Sequence, residues 1–271
     1  MTTNSTSFIN PIPLVDFSLF LHPTSTASRL ETAKALVDAC RRIGFVYIIN
    51  HDISSSLLEE AFAITKKLFD LSHEEKMQAE HPPGPTVHRG YSYPGLELQD
   101  PSLIANFHSG HGNQLRLLHY PPIPASEVEK GLAVRMPPHS DWGSITMVFQ
   151  DECGGLEIEH PERPGEFIRA DPVKDAIVMN VGDLLMRWSN DDLKSTLHRV
   201  ELPPLASRYT LSEEEERITR ARYSIPYFCA PDIDKLIEVL EECVKDGEEV
   251  KYEPIVAGDY FRMRGALQYQ S

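Results

Sequence analysis

His139 and Asp141 stand two positions apart, so an extended backbone carries both side chains to the same side. Within Pro138-His139-Ser140-Asp141-Trp142-Gly143-Ser144-Ile145, one imidazole nitrogen and one carboxylate oxygen could therefore reach a single divalent metal ion. Leu197-His198-Arg199-Val200 offers a second histidine inside another β-like run. Two histidines and one carboxylate, His139, Asp141 and His198, would occupy one face of a metal and leave the opposite face open, an arrangement suited to non-haem Fe(II). The chain has 11 histidines, and most histidines are surface or satisfied core residues. The trio therefore needs support from elsewhere. His108-x-x-His111 is another pair, but its Ser-Gly and Gly-Asn neighbours suggest a loop, and no third ligand is near it in sequence.

Support comes from Arg222-Tyr223-Ser224 in the run from Ala221 to Phe228. Arg222 and Ser224 share a strand face, so a guanidinium and a hydroxyl point the same way and together could grip a carboxylate. His-x-Asp, then His, then Arg-x-Ser resembles, in that order, the Fe(II)/2-oxoglutarate-dependent dioxygenases of the isopenicillin N synthase-like branch. Ile12-Pro13-Leu14-Val15-Asp16-Phe17 is similar to the family's opening strand, and Gly44-Phe45-Val46-Tyr47-Ile48-Ile49-Asn50-His51 to its second. Leu115 to Pro121 and Asn180-Val181-Gly182-Asp183 are also similar to family signatures. The wording around Leu115–Tyr120 and Arg187–Val200 is closest to thymine 7-hydroxylase-like proteins, which implies a planar heterocycle as substrate.

The resemblance implies an oxidoreductase that hydroxylates or otherwise oxidises a small organic molecule with O2, releasing succinate and CO2. Fe(II) would be held by His139, Asp141 and His198, with no catalytic residue beyond these ligands. The distal carboxylate of 2-oxoglutarate would be held by Arg222 and Ser224. The family often adds the tyrosine of the strand motif, here Tyr120, although Leu118 stands where the family carries asparagine. Arg116 shares strand parity with Tyr120 and, if inward, needs an acceptor, either a polar substrate or a structural salt bridge. Trp142 and Phe228 could flank a flat substrate, with core packing as the alternative for each. Asn180 and Asp183 precede a turn and read as structural. Two other functions fit the same residues: an iron oxidase that does not use 2-oxoglutarate, and a truncated, non-catalytic family member.

Composition narrows the partners. The formal net charge of −15 argues against nucleic-acid phosphate. Cys40, Cys153, Cys229 and Cys243 are scattered without a Cys-x-x-Cys pair and read as reduced thiols. Residues 1–10 lack a secretory pattern, and no apolar run approaches the roughly 20 residues that span a bilayer. These features predict a cytoplasmic protein with no membrane partner, and the family resemblance suggests a place in secondary metabolism.

The elements that must position these groups follow from periodicity. Leu30, Ala33, Val37 and Cys40 fall at helical spacing, and Gly44 suits the C′ position that ends the helix. Phe45 to Ile49 is a continuous β-rich strand. Ser56 with Glu59, and Ser72 with Glu75, read as capping boxes that open two helices. Residues 1–90 thus read as an N-terminal α/β portion and 91–271 as the catalytic portion of one structural unit. Short strands are predicted near 115–120, 132–138, 144–149, 155–159, 166–170, 175–181, 197–202 and 221–228, separated by Gly- and Pro-containing turns. The fold predicted is mainly β with flanking helices around a double-stranded β-helix, or jelly-roll, core. Further helices are expected over Leu184–Ser189, Asp234–Val244 and Gly258–Gln268. Glu213 to Glu216 reads as an acidic, solvated loop.

One segment departs from the family. Relatives carry a long, mostly helical stretch before the strand at Leu115, where this chain has only Tyr93 to Gln114, rich in turn residues. The departure predicts an uncovered apolar face, occupied by self-association or left as an aggregation liability, and a more open pocket.

Overall fold

The computed structural model describes residues 7–9, 12–80, 91, 113–124, 126–127, 130, 135–202 and 218–268. Two antiparallel-rich sheets face each other across the main apolar core. The larger comprises β1 (Ser7–Ile9), β2 (Ile12–Asp16), β3 (Phe45–Ile49), β10 (Ile177–Val181), β7 (Ile145–Gln150) and β12 (Arg222–Cys229), in that order. At its edge, β4 (Gln114–Leu115) pairs with one half of β12 and β5 (Leu118–Tyr120) with the other. The smaller sheet runs β6 (Met136–His139), β11 (His198–Val200), β8 (Leu156–His160), β9 (Arg163–Arg169).

Alternation along β3 shows how the layers form. Phe45 and Tyr47 point between the sheets, where they meet Val178, Leu156, Ile158 and Val200. Val46 and Ile48 point the other way, onto Ala39 and Cys40 of α2 (Thr26–Arg42). A strand buried on both faces must be apolar throughout, which explains the unbroken Phe-Val-Tyr-Ile-Ile run. Each such side chain contributes about 1.5–3 kcal/mol on burial. Because β3 hydrogen-bonds to β10 in register, the first part of the chain is built into the same sheet as the strands near the site.

A single turn, α1 (Ser18–Leu21), precedes α2. α2 begins at a capping box between Ser25 and Ser28 and stops at Ile43, with Gly44 next at φ +72°. A Cβ at Gly44 would lie 2.0 Å from the Lys194 carbonyl oxygen. The glycine is needed both for the left-handed turn and for the close approach of the Lys194–Thr196 segment, whose Thr196 hydroxyl donates to the Ile43 carbonyl. α3 (Ser55–Asp70) is capped by Ser54, not Ser56: the Ser54 hydroxyl, first in a run of three serines, accepts from Leu57 N. α4 (His73–Met77) opens at the predicted Ser72/Glu75 box.

The helix expected over Asp234–Val244 does not form. β13 (Leu236–Ile237) pairs there with β14 (Ile255–Val256), and a single 3₁₀ turn covers Glu241–Cys243. Ile237 is buried, while Leu236 and Leu240 stay exposed and the Leu240 amide donates to the Trp188 carbonyl. Backbone partners from distant chain have overridden a local helical spacing. α5 (Asp183–Trp188) and α6 (Ala257–Gln268) lie within a residue of expectation and share an apolar cluster with Trp142, Ala230 and Ile237. β1 is additional to the opening strand expected at Ile12. The expectations for His108, His111, Glu213–Glu216 and 93–112 lie outside the described residues.

Candidate active site

β6 and β11 are antiparallel neighbours, and their register sets His198 directly opposite His139. Their rings are 4.3 Å apart between centroids. Asp141 lies just past the end of β6, and one donor atom from each of the three residues falls within 4.8 Å of the others. The His198 Nε2 to Asp141 Oδ1 distance is 3.7 Å. Asp141 and His198 are buried and His139 is half-buried.

Hydrogen bonds fix which atoms face the common point. His139 Nδ1 donates to the Pro137 carbonyl at 2.9 Å, and His198 Nδ1 donates to the Thr196 carbonyl at 3.2 Å. In a neutral ring, such a bond leaves Nε2 as the atom with the lone pair. Asp141 Oδ2 accepts from Thr146 Oγ1 at 2.6 Å and from Asn180 Nδ2 at 2.7 Å, so Oδ1 remains for a cation. Burial pulls the His139 pKa down to about 4, assisted by His198. At Asp141 burial would raise the pKa, but His198, His139, Thr146 and Asn180 outweigh it and hold the carboxyl below its usual range. A neutral imidazole at His139 beside an ionised carboxylate is the protonation state a divalent metal requires. The donor set fits Fe(II).

A second centre lies on β12 of the larger sheet, across from the histidine-bearing strands of the smaller one. Arg222 is 1% exposed, and among the described residues its guanidinium donates to neutral groups, Ser224 Oγ at 3.1 Å and Gln150 Oε1 at 3.3 Å. Among the described residues its buried Nε has no partner, and no carboxylate lies within ion-pair distance of the guanidinium. Asp151 is near, but its oxygens accept from the Tyr223 and Cys153 amides. A buried cation with neutral partners is costly until an anion joins it. Tyr120 is cross-strand to Arg222, with its ring 5.0 Å from the guanidinium carbon, and Leu118 is cross-strand to Ser224.

β7 sets the two centres a fixed distance apart. Thr146, which holds Asp141, and Gln150, which holds Arg222, share the inner face of one strand four residues apart, about 13 Å along it. Phe228 is cross-strand to Thr146, and Ser224 to Gln150. Phe228 therefore lies at the metal end. The Arg116 guanidinium stands 5.3 Å over its ring and donates to Gln114 Oε1. Trp142 does not join them. It is 3% exposed and packs with Leu184, Tyr260 and Phe261 behind the ligand loop, the core-packing reading of the two that its sequence position allowed.

Sequence reasoning did not anticipate Thr146 or Gln150, and read Asn180 as structural without its contact to Asp141. Asn180 carries a signal in the Asn-Val-Gly-Asp run, but Thr146 and Gln150 are ordinary strand residues whose roles come from register. The loop itself is locked by backbone: Gly182 N, Asp183 N and Leu184 N donate to the carbonyls of Ser144, Asp141 and Gly143. A Cβ at Gly182 would sit 2.4 Å from the Gly143 oxygen, so only glycine allows this approach.

Residues 12–124 match the family described as the non-haem dioxygenase in morphine synthesis N-terminal, and residues 103–231 match the 2OG-Fe(II) oxygenase superfamily. The 2-oxoglutarate-Fe(II) type oxidoreductase ppzD of Metarhizium rileyi is 31% identical, the match covering 94% of this chain and 90% of that protein. The chain belongs to the 2OG-Fe(II) oxygenase superfamily. It is an Fe(II)- and 2-oxoglutarate-dependent oxidoreductase with the jelly-roll core that the strand spacing implied. The proline hydroxylase buaE of Petromyces alliaceus is 32% identical over 84% of this chain and 91% of its own. Among solved structures, full-length Neurospora crassa thymine 7-hydroxylase with α-ketoglutarate and 5-formyluracil superposes with a TM-score of 0.80 at 32% identity, covering 98% of each chain. The alignment with ppzD runs over 330 positions, whereas 94% of 271 residues fills only about 255 of them. Relatives of this oxygenase are thus longer within the matched span.

Proposed function

We propose that His139, Asp141 and His198 hold the iron and that Arg222, with Ser224 and Tyr120, holds the distal carboxylate of 2-oxoglutarate. We further propose that Arg116 and Phe228 face a small planar heterocycle. When bound, iron and 2-oxoglutarate supply the oxidising chemistry, with O2 consumed and succinate and CO2 released. The chain's own residues bind and orient. The Nδ1 anchors keep both imidazoles aimed, Thr146 and Asn180 leave one Asp141 oxygen free, and Arg222 fixes the far end of the cosubstrate. The buried Arg222, whose side-chain partners are neutral, supports 2-oxoglutarate over an oxidase that dispenses with it. The Arg116–Phe228 pair offers an aromatic face and a cationic donor, which suits a flat ring bearing carbonyl acceptors. Solved complexes of the Neurospora enzyme with thymine and with 5-formyluracil support that class.

The test is turnover of iron-loaded protein with 2-oxoglutarate and a panel of pyrimidines and related heterocycles. Succinate should form and a heterocycle should be oxidised. Product without 2-oxoglutarate would establish the oxidase instead, and no succinate with any substrate would favour a non-catalytic protein.

The boundary at 1–90 and 91–271 is also proposed, as two portions of one structural unit, supported by β3 pairing with β10. The varied named fungal relatives support a role in secondary metabolism. A cytoplasmic location is supported by the four cysteines, all of them free thiols, as a reducing compartment keeps them. No helix among the described residues is long and apolar enough to cross a membrane.

Self-association is supported by α3. Its inner face packs on β12 and β5, beside the edge that the shortened connection enters at β4. Leu57, Ile64, Leu68 and, just past the helix, Leu71 are exposed at spacings that form one stripe. Light scattering should show a species larger than the monomer, and a charge placed in the middle of this stripe by Ile64→Lys should disrupt it. Succinate should also exceed oxidised product, because the pocket excludes water less well. A stable monomer with one-to-one coupling would overturn both expectations.

A further inference from the structure

We propose that Asp183 is a positioning residue through which the C-terminal helix α6 holds the iron-ligand loop in shape. This rests on the assignment of His139, Asp141 and His198 as the iron site. Asp183 is 4% exposed, yet its carboxylate touches none of those three side chains. It gathers donors from three separate stretches instead. Oδ1 accepts from Ser195 Oγ at 2.6 Å, three residues before His198. Oδ2 accepts from Ser140 Oγ at 3.3 Å, between His139 and Asp141. Oδ2 also accepts from Tyr260 OH at 2.7 Å and forms an ion pair with Arg264, both on α6.

The links close on one another. Arg264 Nη2 donates to Ser140 Oγ at 3.2 Å, Arg264 Nη1 donates to Tyr260 OH at 3.1 Å, and the Asp183 amide donates to the Asp141 carbonyl at 2.8 Å. Trp142, the residue after Asp141, is pinned beneath the Arg264 guanidinium at 5.6 Å and packed against Tyr260 and Phe261. All three ligands are thus joined to one buried anion by short covalent spans. A buried carboxylate with four donors has little freedom, so it transmits the position of α6 to the loop. If Asp183 served only to anchor α6, the donors from Ser140 and Ser195 would be unnecessary.

Residues that orient metal ligands typically change metal affinity by about 10–100-fold when lost. The experiment is anaerobic Fe(II) binding by equilibrium dialysis on the full chain, well below the melting temperature of every variant. Arg264→Met removes the ion pair and the Ser140 contact without touching a ligand, Arg264→Lys restores the charge, and Asp183→Asn tests the hub directly. Arg262→Met is the control, since Arg262 pairs with Asp259 on the exposed side of the same helix. Arg264→Met should weaken Fe(II) binding at least about fivefold, Arg264→Lys should recover part of it, and Arg262→Met should not change it. A smaller loss in Arg264→Met, or an equal loss in Arg262→Met, would overturn the proposal. If Asp183→Asn does not fold, the Arg264 pair still decides. Absence of Fe(II) binding by the wild-type chain would instead refute the iron site itself.

Discussion

Asp141→Asn should abolish Fe(II) binding and turnover while leaving the protein folded. Asparagine keeps an oxygen to accept from Thr146 and Asn180, which now bind Oδ2 at 2.6 and 2.7 Å. What it loses is the free, ionised Oδ1, in whose place an amide NH2 would point at the cation. Only the two imidazoles would remain, and no negative charge. The loss of affinity should exceed the ~100-fold that removal of a supporting hydrogen bond can cost. Asp141→Ala should bind no better and should also fold less stably, because it leaves the Thr146 and Asn180 donors buried and unmatched at about 1–3 kcal/mol each. Dialysis against Fe(II), with thermal melting of the apo proteins, separates the two effects. Stoichiometric iron with normal turnover in either variant would remove Asp141 from the site.

Arg222→Met should raise the half-saturating concentration of 2-oxoglutarate far more than it affects folding. Truncating one partner of a desolvated, hydrogen-bonded charge pair costs about 2–5 kcal/mol, a loss of roughly 30- to 5000-fold. In the apo protein the guanidinium has no acid partner among the described residues and bonds neutral groups, Ser224 and Gln150. Its removal should therefore cost the empty protein about 1 kcal/mol or less, a shift of roughly 2–4 °C. Arg222→Lys should rescue poorly, because an ammonium cannot make two parallel bonds to a carboxylate. Titration of 2-oxoglutarate beside melting curves checks both halves. An unchanged half-saturation would mean that the cosubstrate is anchored elsewhere.

How much of this was legible beforehand depends on the range of each interaction. His139 and Asp141, or Arg222 and Ser224, lie two residues apart, and strand alternation alone puts each pair on one side. Gly44 after a helical repeat, the Ser72/Glu75 box and the β-rich Phe45–Ile49 run are equally local, and each formed as its chemistry dictates. The order of the three motifs along the chain carried the family, and with it the iron and 2-oxoglutarate.

Other features depended on register and on which distant strand supplies a partner. Nothing local distinguishes Thr146 or Gln150 from any polar strand residue, yet β7 lies where one meets Asp141 and the other Arg222. Trp142 follows a ligand at a strand's end, where alternation stops, and the apolar cluster behind the loop, not its neighbours in sequence, turned it away from the site. Leu236, Ile237, Leu240 and Val244 keep helical spacing, but the edge of Ile255–Val256 offered Leu236–Ile237 a ladder instead. The sequence determined which groups could do the chemistry because side-chain direction is a local property of the backbone. The tertiary structure decided what holds them, because a buried oxygen or guanidinium takes its partners from whichever chain segments the fold brings within about 3 Å.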